Sequence, residues 1–254
     1  MSLYNYILNK EHHKFRKNIS LEFDKNMSPI ERMTYRFEEL SKAETPVILP
    51  EEQICFIRTI KNIPDIFSEE EWAEIKSKHF IHELGYFSNL SPNYEDTIKV
   101  GLLEKKKTAD EYGKRVIDAI LDLTRRYKEE AQKQGRDDLV KILEVVPANG
   151  ATTFREALQS FRIIHYSLWL EGNYHNTVGR FDKYMYPYLK ADLDKGIITE
   201  EEAQTLLDDF FLSFNKDSDL YVGVQQGDNG QSMVLGGLDE NGNITDASRS
   251  ERLI

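Results

Sequence analysis

Four segments of the chain open with the same helix-starting pattern, a Ser or Thr followed three residues later by Glu. In such a capping box the hydroxyl accepts a hydrogen bond from the Glu backbone N–H, and the Glu side chain bonds back to the capping residue. Apolar residues then recur at helical spacing. The four pairs are Ser28 and Glu31, Thr108 and Glu111, Thr153 and Glu156, and Thr199 and Glu202. A further short helix is predicted to start at Ser68, so the chain is expected to be mostly helical.

Two other stretches have the pattern of short strands. The segment "EEQICFIRT", residues 51–59, has a short apolar run between polar residues and is predicted to form a short strand. The segment "QSMVLGGLDENGNIT", residues 231–245, combines an apolar run with a Gly-Gly break and an Asn-Gly turn. Gly135 and Gly196 follow helical patterns and are predicted to end them. The sequence thus predicts a mainly α fold with a few short strands, organised as a single domain over residues 1–254.

Charge and cysteine content exclude several classes of protein. The net charge of -11 argues against nucleic acid or an anionic membrane as the main partner. The single cysteine, Cys55, excludes an intramolecular disulfide and a multi-cysteine zinc site, and its apolar surroundings predict a buried, inert thiol. No apolar run reaches membrane-spanning length, and the N-terminal segment lacks the features of a signal peptide. A cytoplasmic location is expected.

Neither acidic loops nor histidines form a recognisable metal site. Counting an EF-hand loop from Asp192 puts Ile197 at the glycine position and Ala203 at the glutamate position, so a calcium loop is excluded. His165 lies on the apolar face of its helix and is interpreted as a core histidine with satisfied hydrogen bonds. His175, in contrast, falls in a polar break between two helices.

The stretch "NTVGRFDKYMYPYL", residues 176–189, follows that break and allows two interpretations. Arg180 could hold a carboxylate of a ligand in a bidentate pair, and Asp182 lies in the first turn of a helix, where a negative charge is favoured. Alternatively, Arg180 and Asp182 form a structural ion pair while the tyrosines pack. Both interpretations remain open from the residues alone.

Three blocks in the second half of the chain resemble one enzyme superfamily. They are "ATTFREALQSFRIIHYSLWLE", "TVGRFDKYMYPYLKADLDKGIITEEEAQTLLDDFF" and "GDNGQSMVLGG". Their order and spacing are similar to the N-terminal, pyruvate-formate-lyase-like part of glycyl radical enzymes, and closer to the diol and hydroxyproline dehydratase branch than to pyruvate formate-lyase. The resemblance implies the N-terminal helical portion of a ten-stranded α/β-barrel.

Within that branch, two regions line the substrate pocket. The resemblance implies that the equivalent positions here bind substrate, although Asn89 and Asn93 depart from the His and Asp that many dehydratases carry. The implied substrate-binding residues are His175, Asn176, Thr177, Arg180, Asp182, Asn89 and Tyr94.

The chemistry implied by the family uses a glycyl radical, installed by a radical S-adenosylmethionine activating enzyme, and a cysteine on a mid-chain loop. Neither the glycyl signature nor that cysteine occurs in this sequence. The chain is therefore expected to be the N-terminal portion of a radical C–C lyase, formate C-acetyltransferase-like enzyme or dehydratase acting on a small polar metabolite. On this hypothesis it is inactive alone and itself binds no metal or cofactor.

Two alternatives stay open. The chain could be a catalytically dead small-molecule-binding or regulatory module, or a structural partner of a separate C-terminal half. An isolated barrel strand at residues 231–239 would have an exposed edge, which favours either self-association, as in a homodimer, or disorder of that segment.

Overall fold

A computed structural model describes residues 2–79, 90–173, 176–217, 231–238 and 241–243. Within these ranges the chain forms ten α-helices and two short 3₁₀ helices, the latter at Glu11–Phe15 and Phe214–Lys216. The helices are α1 (Leu3–Leu8), α2 (Pro29–Ala43), α3 (Glu69–Lys78), α4 (Tyr94–Val100), α5 (Leu102–Thr108), α6 (Glu111–Lys133), α7 (Asp137–Val145), α8 (Phe154–Leu170), α9 (Phe181–Asp194) and α10 (Glu200–Ser213). The prediction of a mainly α protein is confirmed. None of the helices in these ranges is long and apolar enough to cross a membrane.

The helix starts follow the local sequence, with one correction. Complete capping boxes are present at Ser28, Ser68, Thr153 and Thr199. The predicted cap at Thr108 is wrong, because this residue ends α5. The long helix α6 is capped instead by Asp110, whose carboxylate accepts the backbone N–H of Gly113 at 2.7 Å.

The predicted strands are not present among the described residues, which contain only isolated bridges. Residues 54–59 are buried and largely extended, but they lie among helices and have no neighbouring strand along their length in the described part of the chain. Side chains accept the backbone N–H groups that a neighbouring strand would otherwise pair. Asp209 accepts the N–H of Ile54 at 2.7 Å, and Gln159 accepts that of Cys55 at 2.9 Å. The second predicted strand, which begins at Gln231, bridges to Gly179 through Met233.

Three further side chains hydrogen-bond to the backbone of this extended segment. The Tyr127 hydroxyl accepts the N–H of Ile57 at 3.0 Å, and Glu44 accepts that of Thr59 at 2.7 Å. The Arg162 guanidinium donates to the Phe56 carbonyl at 2.8 Å. Because a buried backbone group without a partner is costly, these contacts let an extended segment cross the core without a sheet.

Helix α8 lies at the centre of the fold. Thirteen of its 17 residues are buried, so it presents almost no face to solvent. Its Ile163 and Tyr166 belong to one apolar cluster, shared with α2, α6 and α7. Its Phe154 and Phe161 belong to a second cluster, shared with α9 and α10. The candidate site lies at the C-terminal half of this helix.

Candidate functional site

Three extended pieces of chain meet beside the start of α9. The Thr177 N–H donates to the Leu90 carbonyl at 2.8 Å, and the Val178 N–H donates to the Ser232 carbonyl at 2.7 Å. The Val234 N–H in turn donates to the Gly179 carbonyl at 2.9 Å. The bridges that these bonds form are parallel. Residues 176–179 therefore lie between Leu90 on one side and residues 232–234 on the other.

Arg180 and Asp182 form an ion pair directly after these bridges. Arg180 Nε lies 3.2 Å from Asp182 Oδ1, and Nη2 lies 3.4 Å from Oδ2. Oδ2 also accepts the backbone N–H of Gly236 at 2.8 Å. Asp182 is only 1% exposed, and it lies in the first turn of α9, where the helix dipole favours a carboxylate. The ion pair of the second interpretation is thus present, and Asp182 also holds the backbone of Gly236.

The Arg180 guanidinium lies against a glycine. A Cβ on Gly237 would lie 3.2 Å from Arg180 Nη1, closer than side chains normally pack. Gly237 has a φ of +108°, which residues with a Cβ rarely adopt. The Arg180 side chain is 30% exposed, whereas its partner carboxylate is buried. Arg180 is consequently the member of the pair that solvent or a ligand can reach.

Asn176 is fully buried beside the same bridges. Its Nδ2 donates to the Asn173 carbonyl. Its Oδ1 is buried and has no hydrogen-bond partner in the described part of the chain. Buried acceptors of this kind are uncommon and often mark functional positions. Thr177, the next residue, is partly exposed.

Tyr94 lies below this surface and is tied to α8. Its hydroxyl is 2.7 Å from His165 Nδ1, and burial raises the pKa of Tyr94. His165 Nε2 lies 2.6 Å from Gln231 Oε1 and 3.0 Å from Trp169 Nε1. Burial lowers the pKa of His165 to about 4, so the ring is neutral at physiological pH. The interpretation of His165 as a core histidine with satisfied hydrogen bonds is confirmed.

The structure brings together most of the predicted site residues that it describes. Asn176, Thr177, Arg180 and Asp182 lie within one stretch of seven residues, 176–182, and Tyr94 is linked to residues 231–237 through His165. His175 and Asn89 lie outside the described residues. Sequence reasoning gave no role to Gln231, although it belongs to the third block of the resemblance.

Two other features bear on the chemistry of the site. Over the described ranges, no group of three or more His, Cys, Asp or Glu side chains is positioned to hold a metal ion. Cys55 is fully buried, its Sγ lies 3.4 Å from Gln159 Oε1, and burial raises the pKa of its thiol. The prediction of a buried thiol is confirmed.

Comparison with known protein families shows which family the chain belongs to. The model of the pyruvate formate lyase-like family matches residues 58–248. The chain belongs to this family. The matched range includes the first bridge segment, the Arg180–Asp182 pair and residues 231–237.

Curated relatives include glycyl radical enzymes of several activities. The glycyl radical subunit of 4-hydroxyphenylacetate decarboxylase from Clostridioides difficile is 34% identical over 131 residues, which cover 49% of this chain and 14% of the relative. Trans-4-hydroxy-L-proline dehydratase from the same organism is 32% identical over 111 residues, covering 39% and 14%. (2S)-3-sulfopropanediol dehydratase from Klebsiella oxytoca is 29% identical over 175 residues, covering 58% and 21%. The matched regions therefore span about a seventh to a fifth of each relative's length.

Solved structures show the same fold over most of the chain. A structure concerned with 1,2-propanediol dehydration in Roseburia inulinivorans superposes with a TM-score of 0.70 at 20% identity, covering 87% of this chain and 38% of that one. Hydroxyproline dehydratase from Clostridioides difficile gives 0.65 at 17% identity, covering 96% and 42%. These neighbours establish a shared helical architecture. The described residues include no part of a barrel.

Proposed function

We propose that this chain is the N-terminal, substrate-facing portion of a glycyl radical enzyme that acts as a dehydratase or lyase on a small polar metabolite. The observation that carries the proposal is the meeting of residues 176–182 with residues 231–237. These two segments are about fifty residues apart in sequence, and both belong to the blocks that carry the family resemblance. Backbone bridges and Asp182 hold them together, which builds a polar surface with an accessible Arg180.

In this proposal the site residues have different roles. Asp182 and Tyr94 are buried and already hydrogen-bonded, so they hold the surface in place from behind. Arg180 uses Nε and Nη2 on Asp182, and its Nη1 faces the Gly237 side. Arg180 can therefore steer an anionic group of a substrate. Asn176 and Thr177, with Asn89 and His175, complete the proposed substrate-binding set. We propose that residues 1–254 form a single domain.

The radical chemistry of such an enzyme does not fit the residues of this chain. In a complete glycyl radical enzyme, a glycyl radical supplies hydrogen abstraction through a cysteine thiol that reaches the substrate. Cys55 is the single cysteine here, and its thiol is sealed in the core against Gln159. We therefore propose that the chain has no turnover alone.

A radical assay tests the proposal directly. The purified chain is incubated anaerobically with S-adenosylmethionine and an activating enzyme of the family, and the sample is examined by electron paramagnetic resonance. We expect no glycyl radical signal. A radical on this chain would overturn the proposal, whereas a signal that arises only after addition of a second chain carrying the cysteine and glycine would support it.

A binding assay separates the proposal from a stand-alone binding module. Trans-4-hydroxy-L-proline, (2S)-3-sulfopropanediol and 4-hydroxyphenylacetate, taken from the names of the relatives above, are titrated into the chain by calorimetry. For an incomplete substrate surface we expect no saturable binding below about 1 mM, an affinity worth about 4 kcal/mol. Micromolar binding that is lost in Asp182→Ala and kept in Asp194→Ala would instead establish a binding module.

A further inference from the structure

His165 is the point at which three separate parts of the chain converge. Tyr94 comes from α4, Trp169 from the next turn of α8, and Gln231 from the segment that carries Gly236 and Gly237. We propose that His165 is a positioning residue that holds residues 231–237 against the Arg180–Asp182 pair, and that Gln231 decides which ring nitrogen of His165 carries the proton. The inference rests on the proposed function only in treating that segment as part of the substrate surface.

The contact at Nδ1 does not choose between the two neutral forms of the ring. The Tyr94 hydroxyl, 2.7 Å away, can donate to an unprotonated Nδ1 or accept from a protonated one. Tyr94 therefore stays hydrogen-bonded in either case. The choice of tautomer is left to the partners of Nε2.

The two partners of Nε2 make opposite demands on it. The Gln231 amide oxygen, 2.6 Å away, accepts and so needs a proton on Nε2. The Trp169 indole N–H, 3.0 Å away, donates and so needs the Nε2 lone pair. One nitrogen cannot satisfy both, and a doubly protonated ring is excluded at neutral pH because burial lowers the pKa of His165 to about 4. Gln231 and Trp169 therefore favour different tautomers.

The competition between Gln231 and Trp169 for Nε2 couples the position of residues 231–237 to the tautomer of His165. When Gln231 is docked on His165, the proton is on Nε2 and the Nε2–H donates to Gln231. When Gln231 leaves, the proton moves to Nδ1 and Nε2 accepts from Trp169. Gly236, five residues after Gln231, is held by Asp182 at 2.8 Å. The segment is thus fixed at its start by an imidazole and near its end by a carboxylate.

The tautomer can be read by nitrogen-15 spectroscopy of histidine-labelled protein, because protonated and unprotonated ring nitrogens differ strongly in chemical shift. The His165 signals are assigned from their loss in His165→Asn. In the unmodified chain we expect the proton on Nε2. In Gln231→Met, which keeps the side-chain length and removes the acceptor, we expect it on Nδ1. Trp169→Phe removes the competing donor and should leave the proton on Nε2.

Amide hydrogen exchange tests whether the same contact holds the segment. The Val234 N–H bonds to Gly179 and the Gly236 N–H bonds to Asp182. We expect both amides to exchange about fivefold faster in Gln231→Met. This change in rate corresponds to the loss of one neutral hydrogen bond. Gln204→Met, on the exposed face of α10, is the matched control and should leave both rates unchanged.

Two outcomes would overturn the inference. A tautomer that is the same in Gln231→Met and in the unmodified chain would show that Gln231 does not select it. Unchanged exchange at Val234 and Gly236 in Gln231→Met would show that the contact does not position the segment. Both readouts are independent of radical formation and of small-molecule binding, so failure of the proposed function would not be mistaken for failure here.

Discussion

Gln159 pairs with Cys55 as a neighbouring strand would. The Gln159 side-chain oxygen accepts the Cys55 N–H at 2.9 Å, and its amide nitrogen donates to the Cys55 carbonyl at 3.2 Å. Both residues are fully buried. One side-chain amide on α8 thus satisfies both backbone groups of a residue 104 positions earlier in the chain.

Replacing Gln159 by Met should therefore be costly. The substitution keeps the length of the side chain but leaves two buried backbone groups at Cys55 without partners. We expect a loss of about 2–4 kcal/mol in the free energy of unfolding, measured by urea denaturation followed by circular dichroism. Gln204→Met, at an exposed position, should change stability by less than about 0.5 kcal/mol. Equal effects of the two substitutions would contradict a structural role for the Gln159–Cys55 pair.

Asp182→Asn should loosen the candidate site. The change removes the negative charge that faces Arg180 and weakens the acceptor for the Gly236 N–H, both at a buried position. We expect a loss of about 1–3 kcal/mol in unfolding free energy. Asp194→Asn, which removes an exposed partner of Lys190 at the other end of α9, should cost less than about 0.5 kcal/mol. A neutral Asp182→Asn would show that the pair does not support the segment at Gly236.

Gly237→Ala should disturb Arg180 as well as the backbone. Alanine at a φ of +108° is strained, and its Cβ would lie 3.2 Å from Arg180 Nη1. Gly242→Ala provides the matched control, because its φ of +80° is also positive but its Cβ would have no heavy atom within 4 Å. We expect Gly237→Ala to lower the urea midpoint clearly more than Gly242→Ala. Similar midpoints would mean that contact with Arg180 adds nothing to the backbone strain.

His165 should make the protein sensitive to mild acid. Its pKa is about 4 in the folded chain, against about 6.5 in an unfolded one. The unfolded chain therefore binds the proton first as the pH falls. The stability that His165 contributes is complete above about pH 6.5 and is lost progressively as the pH falls to about 4, a difference of about 3 kcal/mol.

Urea denaturation across this pH range measures that loss. The charged groups that act on the ring are Arg162, which lowers its pKa, and Asp217, which raises it. His165→Asn removes the titrating ring and should flatten the stability profile between these pH values. His79→Asn, at an exposed position after α3, should leave the slope unchanged. A slope that persists in His165→Asn would assign the acid sensitivity to other groups.

Cys55 should be unreactive in the folded protein. The thiol is fully buried and burial raises its pKa, so little thiolate is available to react. We expect alkylation by iodoacetamide at neutral pH only at the rate of unfolding, and complete alkylation in urea. Rapid labelling of the native chain would contradict the sealed environment on which the proposed lack of turnover depends.

Local sequence patterns were enough to predict four helix starts. The capping boxes at Ser28, Ser68, Thr153 and Thr199 join groups three residues apart, so their geometry is contained in a short stretch of sequence. The prediction failed at Thr108 because a second cap, Asp110, was available two residues later. The choice between them depended on α5, which ends at Thr108 and is a separate helix.

Long-range contacts decided how residues 51–59 are hydrogen-bonded and how the candidate site is assembled. The apolar run within residues 51–59 predicts an extended segment, and this much follows from its residue types. That the segment pairs with side chains such as Gln159, instead of a second strand, depends on α8, whose Gln159 lies 104 positions from Cys55. The same holds at the candidate site, where Tyr94 and Gln231 lie 71 and 66 positions from His165.

The sequence by itself determined that the chain is helical, which family its blocks resemble, and that Arg180 and Asp182 stand together at the start of a helix. Only the tertiary structure decided that Asp182 is buried and holds Gly236, while Arg180 stays within reach of solvent. The physical reason is that hydrogen bonding within a helix turn is local, whereas burial and the pairing of a buried carboxylate depend on which distant backbone is packed against it.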